Sequence, residues 1–270
     1  MVLPVLVVGI LFIVYPLVKL TIDAFTQGDG GVSNFVAVFE SQAILTSLLN
    51  TVVMSLIVTA LCLLMGASVS WAIARATSPA YRALLWTAML LPFWMGVVVK
   101  AYAWNVIFAN NGILNSLLEG AGITDGPLSL LYTRFAVIVG MTYTMLPYAV
   151  LAMNPTMASF NPELLNSATI MGSSLVGAMR KVWLPLVAPG MIAAAAIVFA
   201  ISIGFYVTPV LLGGGETPFM ATVIGDDIFA FFNYPRAAAS SVLLLVFALA
   251  VLGIAMKVGG AKALKGGFGV

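Results

Sequence analysis

Long apolar runs alternate with short polar stretches along this chain. About 20 apolar residues span the hydrocarbon core of a bilayer, so runs of that length predict transmembrane helices. Six such runs are present, at residues 2–22, 47–74, 83–108, 131–153, 187–212 and 237–258. We therefore predict an all-α membrane protein with about six transmembrane helices, forming one domain over residues 1–270. The first run has no basic leader and no clear cleavage site, so we interpret it as an anchor rather than a signal peptide.

The amino-acid composition limits the classes of function that this protein could have. Hydrophobic residues make up 62% of the chain and charged residues 7%, which leaves too little polar surface to cover a soluble domain. Histidine is absent and Cys62 is the single cysteine, which argues against disulfides, cysteine-based metal sites and histidine catalysis. No acidic residue falls mid-span, which disfavours a proton-coupled carrier. A sodium-coupled carrier, a membrane-embedded enzyme and a purely structural subunit are the alternatives from other classes.

The basic residues predict an orientation. If both termini are cytoplasmic, seven Lys and Arg residues lie inside and four lie outside, as the positive-inside rule expects. The inside set is Arg75, Arg82, Arg180, Lys181, Lys257, Lys262 and Lys265, and the outside set is Lys19, Lys100, Arg134 and Arg236. Eight of the nine acidic residues fall outside in this arrangement, the exception being Glu163.

Lys100 is the most prominent charged residue within the apolar runs. Its position near the outer end of the third run would let the ammonium group snorkel to the membrane interface. The alternative is that Lys100 lines a pathway. Prolines at 16, 92, 147 and 209 also fall in or near the runs, where they either serve helix packing or kink helices around such a pathway.

The polar stretch from Asn161 to Pro189 interrupts the apolar pattern. Asn161, Pro162 and Glu163 are typical of a helix start, and we predict a short helix over 162–171. Gly172 can end it in a left-handed conformation, after which serines cap a second amphipathic stretch. The pattern therefore predicts a helix, a break and a second helix across one membrane face. An ordinary interfacial helix is the plainer interpretation.

Residues 172–179 do not form a phosphate-binding loop. That motif needs Gly, four residues, then Gly-Lys-Ser/Thr. In this chain Gly177 is followed by Ala178 and Met179. The chain therefore does not bind ATP by this motif. We expect no cofactor to be bound by this chain itself.

The same stretch resembles the signature of permease subunits of binding-protein-dependent ABC importers. The spacing of Glu-Ala-Ala, Gly, Ile and Leu-Pro is kept, with Asn in place of Glu and Ser in place of the first Ala. The matching residues are Asn166, Ser167, Ala168, Gly172, Val182, Leu184 and Pro185. The resemblance adds Glu163 as a further ATPase-coupling candidate. We call residues 155–186, between the fourth and fifth runs, the coupling segment, because in the family it carries the coupling helix that docks on an ATPase subunit.

Further blocks are similar to the polyamine (spermidine/putrescine-type) branch, at residues 91–104, 111–115, 142–151, 205–214 and 224–239. In that branch the position of Lys100 is commonly Arg. Related permeases carry opines, aminophosphonates or ferric iron, so these solutes are alternatives. The candidates for contact with solute or binding protein are Lys100, Tyr102, Trp104, Tyr206, Asp226 and Asp227.

The resemblance implies a type I ABC importer permease architecture and a transport subunit rather than an enzyme. It implies two ATPase subunits that hold ATP and Mg, a second permease subunit and a periplasmic binding protein. The departures from the signature suggest that the two permeases form a heterodimer. The expected location is the bacterial inner membrane, in contact with lipid and with no nucleic acid.

Overall fold

The computed structural model describes residues 8–28, 30–215 and 217–259. The regular secondary structure of these ranges is helical. In chain order the helices are α1 (Tyr15–Thr26, after a π-helical turn at Ile10–Val14), α2 (Ser33–Glu40), α3 (Gln42–Arg75), α4 (Pro79–Trp94), α5 (Val97–Phe108), α6 (Ile113–Gly120), α7 (Arg134–Ser159), α8 (Glu163–Ile170), α9 (Leu175–Ile203, with a π-helical turn at Met179–Trp183), α10 (Met220–Phe229) and α11 (Tyr234–Gly259).

Four of the described helices are long and apolar enough to cross a membrane: α3, α7, α9 and α11. A fifth candidate is the sharply bent pair formed by α4 with the helical stretch Val97–Gly120. The first predicted span, 2–22, begins outside the described residues, and its described part is helical from residue 8. Lys262 and Lys265 also lie outside them.

The prediction of one continuous helix over 83–108 is wrong. Pro92 lies in the last turn of α4 and offers no amide hydrogen there. Met95 and Gly96 then adopt extended backbone, and α5 begins at Val97. The axes of the two helical stretches differ by 103°. Apolarity predicts membrane burial, but it does not report whether the helix continues.

The predicted fifth span, 187–212, is shifted along the chain. α9 begins at Leu175 and ends at Ile203, where Gly204 is its C-cap. A separate π-helical turn, Pro209–Gly213, follows. The second part of the coupling segment is therefore the start of a membrane-spanning helix, because exposed polar residues such as Arg180 do not stop a helix.

α3, α7 and α9 form the core. The Cys62 thiol donates to the Thr142 carbonyl over 3.7 Å, and the Ser70 hydroxyl donates to the Val150 carbonyl over 3.3 Å. From the first pair to the second, the residue number rises by eight in both helices, so α3 and α7 run parallel. Small residues allow this close approach. A Cβ atom at Gly66 would lie 3.2 Å from the Ala149 Cβ.

The two ends of this bundle differ. α3 and α7 end beside the coupling segment, and we call this end of the bundle the coupling end. At the opposite end, the Thr51 hydroxyl accepts a hydrogen bond of 2.8 Å from the Met220 amide, which fixes the start of α10 against α3. A second apolar cluster joins α10 to its neighbours there and includes Ala24, Val38, Ile44, Met220, Ala238 and Ala239.

Candidate functional site: the coupling segment and the opposite end

The predicted short helix at the start of the coupling segment is present. The Asn161 Oδ1 accepts a hydrogen bond of 3.0 Å from the Glu163 amide, and α8 runs from Glu163 to Ile170. Glu163 lies in the first turn, where its negative charge interacts favourably with the positive end of the helix dipole. Local capping chemistry therefore sets where α8 begins.

The predicted break at Gly172 is also present. Gly172 has a φ of +89°, in the left-handed region that glycine adopts without steric cost. The Ser174 hydroxyl then accepts a hydrogen bond of 3.1 Å from the Gly177 amide and caps the start of α9. The segment is therefore a helix, a tight reversal and a second helix, as the sequence predicts.

The coupling candidates divide by exposure. Ala168 is buried, with 7% of its surface exposed, so this small side chain faces the bundle. Glu163, Asn166, Ser167 and Gly172 lie toward the outside of the segment, whereas Val182 is half-buried. Leu184 and Pro185 are exposed farther along, in α9. The structure thus gathers the first five residues in one short segment, and their role in coupling stays a prediction.

Sequence reasoning missed an apolar surface on either side of the break. Ile170 and Met171 are 86% and 81% exposed, and Leu175 and Val176 are exposed beyond Gly172. We call these four residues the apolar tip. Its signal in the sequence is apolar residues flanking Gly-Ser-Ser in an otherwise polar stretch. Large apolar residues exposed together mark surfaces that contact a partner protein or the membrane.

Lys100 is not placed as the snorkelling interpretation requires. It lies in the first turn of α5, and 5% of its surface is exposed. Trp104, one turn later on the same helix, packs edge-on against Tyr143 of α7, with ring centroids 5.7 Å apart. Lys100 therefore faces the packed side of α5, and among the described residues no carboxylate pairs with it. The helix break is the reason, because it turns α5 inward before Lys100.

The remaining candidates for contact with solute or binding protein are not gathered into one site. Tyr102 is exposed on the other side of α5. The Tyr206 ring covers Gly225, where a Cβ atom would lie 2.7 Å from the Tyr206 Cε2. Asp226 is exposed, whereas Asp227 is fully buried and pairs with Arg236. Asp227 therefore serves the fold in this conformation, and solute contact by Asp226 stays a prediction.

No group of three or more His, Cys, Asp or Glu residues among the described residues could hold a metal ion.

Comparison with known proteins identifies the family. No protein-family model matches the chain. The spermidine/putrescine transport system permease protein PotB of Haemophilus influenzae is 31% identical over 246 residues, which are 88% of this chain and 85% of that protein. The chain belongs to the family of ABC importer permeases, in the spermidine/putrescine-type branch.

Other relatives of this permease are named for different solutes. The molybdenum transport system permease protein ModB of Mycobacterium bovis is 28% identical over 250 residues, which are 92% of this chain and 90% of that protein. A bacterial alginate ABC transporter, solved with an alginate-bound periplasmic protein, matches with a TM-score of 0.78 at 22% identity and covers 98% of this chain and 94% of the matched chain. The permease thus has the type I importer fold that its sequence predicts.

Proposed function

We propose that this permease forms half of the translocation path of an ATP-driven importer for polyamines. The observation that carries the proposal is the exposed coupling segment, which presents α8, a reversal at Gly172 and the apolar tip away from the bundle. A surface of this kind contacts a partner protein or the membrane, and in this family an ATPase subunit is the partner that the segment fits. This chain would transmit movement rather than perform chemistry.

The partners follow from that arrangement. Two ATPase subunits, holding ATP and Mg, would bind the coupling segments of this chain and of a second, non-identical permease. A periplasmic binding protein would deliver the solute to the opposite end. Closure of the ATPases on ATP would move the coupling segments and open the path toward the binding protein. The carboxylate that the signature usually supplies at Asn166 is absent, so the contact made by Asn166 would be a neutral hydrogen bond.

Charge supports a location in the inner membrane with both termini in the cytoplasm. Of the basic residues assigned to the inside, five lie in the part of the chain that the structure describes: Arg75, Arg82, Arg180, Lys181 and Lys257. Arg180 and Lys181 stand exposed at the start of α9. Cytoplasmic segments of membrane proteins carry an excess of such residues.

A polycationic solute is supported by the name of the PotB relative and by charge at the opposite end. Six acidic residues among the described ones belong to segments that the sequence assigns to the outside: Asp23, Glu40, Glu119, Asp125, Asp226 and Asp227, the last of which pairs with Arg236. Acidic residues around an entrance raise the local concentration of a cation. Asp29 and Glu216 belong to the same predicted set but lie outside the described residues.

One observation favours a second candidate, an anionic or zwitterionic solute such as an opine or aminophosphonate. Lys100 is a buried cation with no carboxylate partner among the described residues. Burying an unpaired charge is costly, so a partner from outside this chain would stabilise it. An anionic solute would supply that charge, and a carboxylate of the second permease would do so equally well.

Reconstitution tests the proposal. The chain is placed in liposomes alone, and again with its second permease, ATPases and binding protein, and uptake of labelled spermidine, putrescine, an opine and molybdate is measured with and without ATP. We expect uptake by the complete complex only, dependent on ATP and strongest for the polyamines. Accumulation by the chain alone would overturn the importer, whereas ATP-dependent uptake of an anion would overturn the polyamine assignment.

A further inference from the structure

Arg75 connects two helices at the coupling end. It is the last residue of α3, and its guanidinium group donates hydrogen bonds to the carbonyls of Phe160 and, over 3.5 Å, of Met157. Both carbonyls lie at the C-terminal end of α7, where unsatisfied carbonyls and the helix dipole favour a positive charge. Arg75 is therefore held where α7 passes into the coupling segment.

Aromatic rings surround the same guanidinium group. Its carbon lies 4.8 Å from the centre of the Trp71 ring, one turn earlier in α3, and 5.9 Å from that of the Phe160 ring. These distances are typical of cation–π contacts. The Trp71 ring also packs against Phe160, with centroids 5.8 Å apart, and edge-on against Trp183, at 6.2 Å. Trp71 and Arg75 thus contact residues on both sides of α8.

Phe160 and Trp183 lie on either side of the exposed segment. Phe160 is the C-cap of α7 and directly precedes Asn161, whose side chain caps the start of α8. Trp183 lies in the π-helical turn of α9, after the break. Both roots of the exposed segment are therefore attached to the same turn of α3. We propose that Trp71, Arg75, Phe160 and Trp183, which we call the clasp, are positioning residues that transmit displacement of the coupling segment to α3.

A cavity beside the clasp strengthens the inference. A space of about 440 Å³ separates α8 from α3, and its lining includes Leu165 of α8 as well as Trp71 and Trp183. The lining side chains of α8 and α3 do not pack directly against each other across this space. The clasp therefore connects both roots of α8 to the end of α3, in addition to the packing of α3 on α7. This inference rests on the proposed function, in which an ATPase moves the coupling segment.

The first experiment replaces Arg75 in the complete reconstituted complex. Arg75→Met keeps most of the side-chain length but removes the charge and the donors, and Arg75→Lys restores the charge without the planar fork. We expect Arg75→Met to keep ATP hydrolysis within about threefold of wild type while uptake falls about tenfold or more, and Arg75→Lys to be intermediate. A role in folding alone would lower uptake and hydrolysis together.

Arg82→Met is the matched control. Arg82 is also a basic residue at the coupling end, but its guanidinium group donates to the Ala76 carbonyl within the turn that joins α3 to α4. We expect Arg82→Met to leave the ratio of solute imported to ATP hydrolysed unchanged. If Arg75→Met does not assemble, Trp183→Leu tests the same contact from the α9 side. A wild-type ratio in either assembled clasp variant would overturn the proposal.

A distance measurement separates failure of the clasp from failure of the proposed function. Spin labels are attached at Leu64, exposed on α3, and at Val176, exposed in the apolar tip, in a Cys62→Ala background. We expect Arg75→Met to broaden the distribution of label distances even without nucleotide, whereas Arg82→Met leaves it unchanged. An unchanged distribution in Arg75→Met would refute the clasp, whatever solute the complex transports. Absence of ATP-driven uptake by the wild type would instead refute the function.

Discussion

The buried carboxylate of Asp227 and the partly exposed guanidinium group of Arg236 form an ion pair that ties α10 to the first turn of α11. The Arg236 Nε lies 3.1 Å from both carboxylate oxygens, and a second guanidinium nitrogen donates to Oδ1. The Asn233 amide also donates to the Asp227 carbonyl over 2.7 Å. Residues 227–236 are thereby closed into one compact connection at the opposite end.

Removal of this carboxylate should destabilise the permease. Loss of one partner from a buried ion pair costs about 3–5 kcal/mol when the remaining charge is trapped. The Arg236 side chain is 34% exposed and can reach solvent, so we expect Asp227→Ala to cost less, about 2 kcal/mol. A lowered thermal midpoint of the purified complex would measure this effect.

Asp226→Ala is the control for that variant, since Asp226 is the exposed neighbour on the same helix. We expect its thermal midpoint to match wild type. If Asp226 contacts the solute or the binding protein, its uptake should fall without loss of stability. Equal destabilisation by both variants would contradict the architectural role assigned to Asp227.

Gly190 is the crossing point of α7 and α9. A Cβ atom at this position would lie 3.2 Å from the Thr156 Cβ and nearer still to its hydroxyl oxygen. We expect Gly190→Ala to destabilise the complex by about 1–3 kcal/mol, as overpacking of a tight core does. Adding Thr156→Ala should recover part of the loss, because it removes the obstructing atoms. Thermal midpoints of the single and double variants measure this coupling.

Gly204→Ala is a suitable control for this prediction. Gly204 lies at the end of the same helix and has an ordinary negative φ, and no heavy atom lies within 4 Å of the place that an added methyl group would occupy. We expect its thermal midpoint to stay close to wild type. If Thr156→Ala gives Gly190→Ala no benefit, the steric explanation is wrong.

The reversal at Gly172 should be required for coupling. Its φ of +89° strains any residue with a side chain, by about 1–2 kcal/mol, although open space surrounds it. We expect Gly172→Ala to reduce uptake relative to ATP hydrolysis, with a larger effect for Gly172→Pro. A bulky residue at the buried Ala168 should act in the same direction. Uptake and hydrolysis assayed in the same vesicles measure the ratio.

Gly122→Ala provides a matched control for the backbone strain. Gly122 has a φ of +68° and is equally open, but it follows α6, far along the chain from the coupling segment. Both alanine variants should therefore have similar stability, while only Gly172→Ala alters the ratio of uptake to ATP hydrolysis. Equal ratios in the two variants would remove the coupling role of Gly172.

Lys100→Met tests the predicted pathway role. The variant removes a buried charge that no described carboxylate neutralises, while it keeps the apolar stem. We expect its thermal stability to equal or exceed that of wild type and its uptake to fall, because a desolvated charge is kept where it serves function. Unchanged uptake kinetics would show that Lys100 contributes nothing to transport.

Local chemistry explains why the coupling segment was predictable. Asn161 and Ser174 cap helices through hydrogen bonds within three residues along the chain, and Gly172 adopts its backbone angle regardless of distant residues. The apolar tip was missed because a hydrophobic residue in a short polar stretch looks the same whether it is buried or exposed. The turn before α5 was missed because apolarity does not report whether a helix continues through Pro92, Met95 and Gly96.

The sequence alone determined that this chain is a helical membrane protein, where most of its spans lie and where the coupling segment reverses. These properties depend on hydrophobic length and on contacts between near neighbours in the chain. The tertiary structure decided which side chains face each other: Arg75 with the end of α7, Trp71 with Trp183, and Asp227 with Arg236. The burial of Lys100 belongs to the same category, because distant helices must pack before the surroundings of any of these groups are defined.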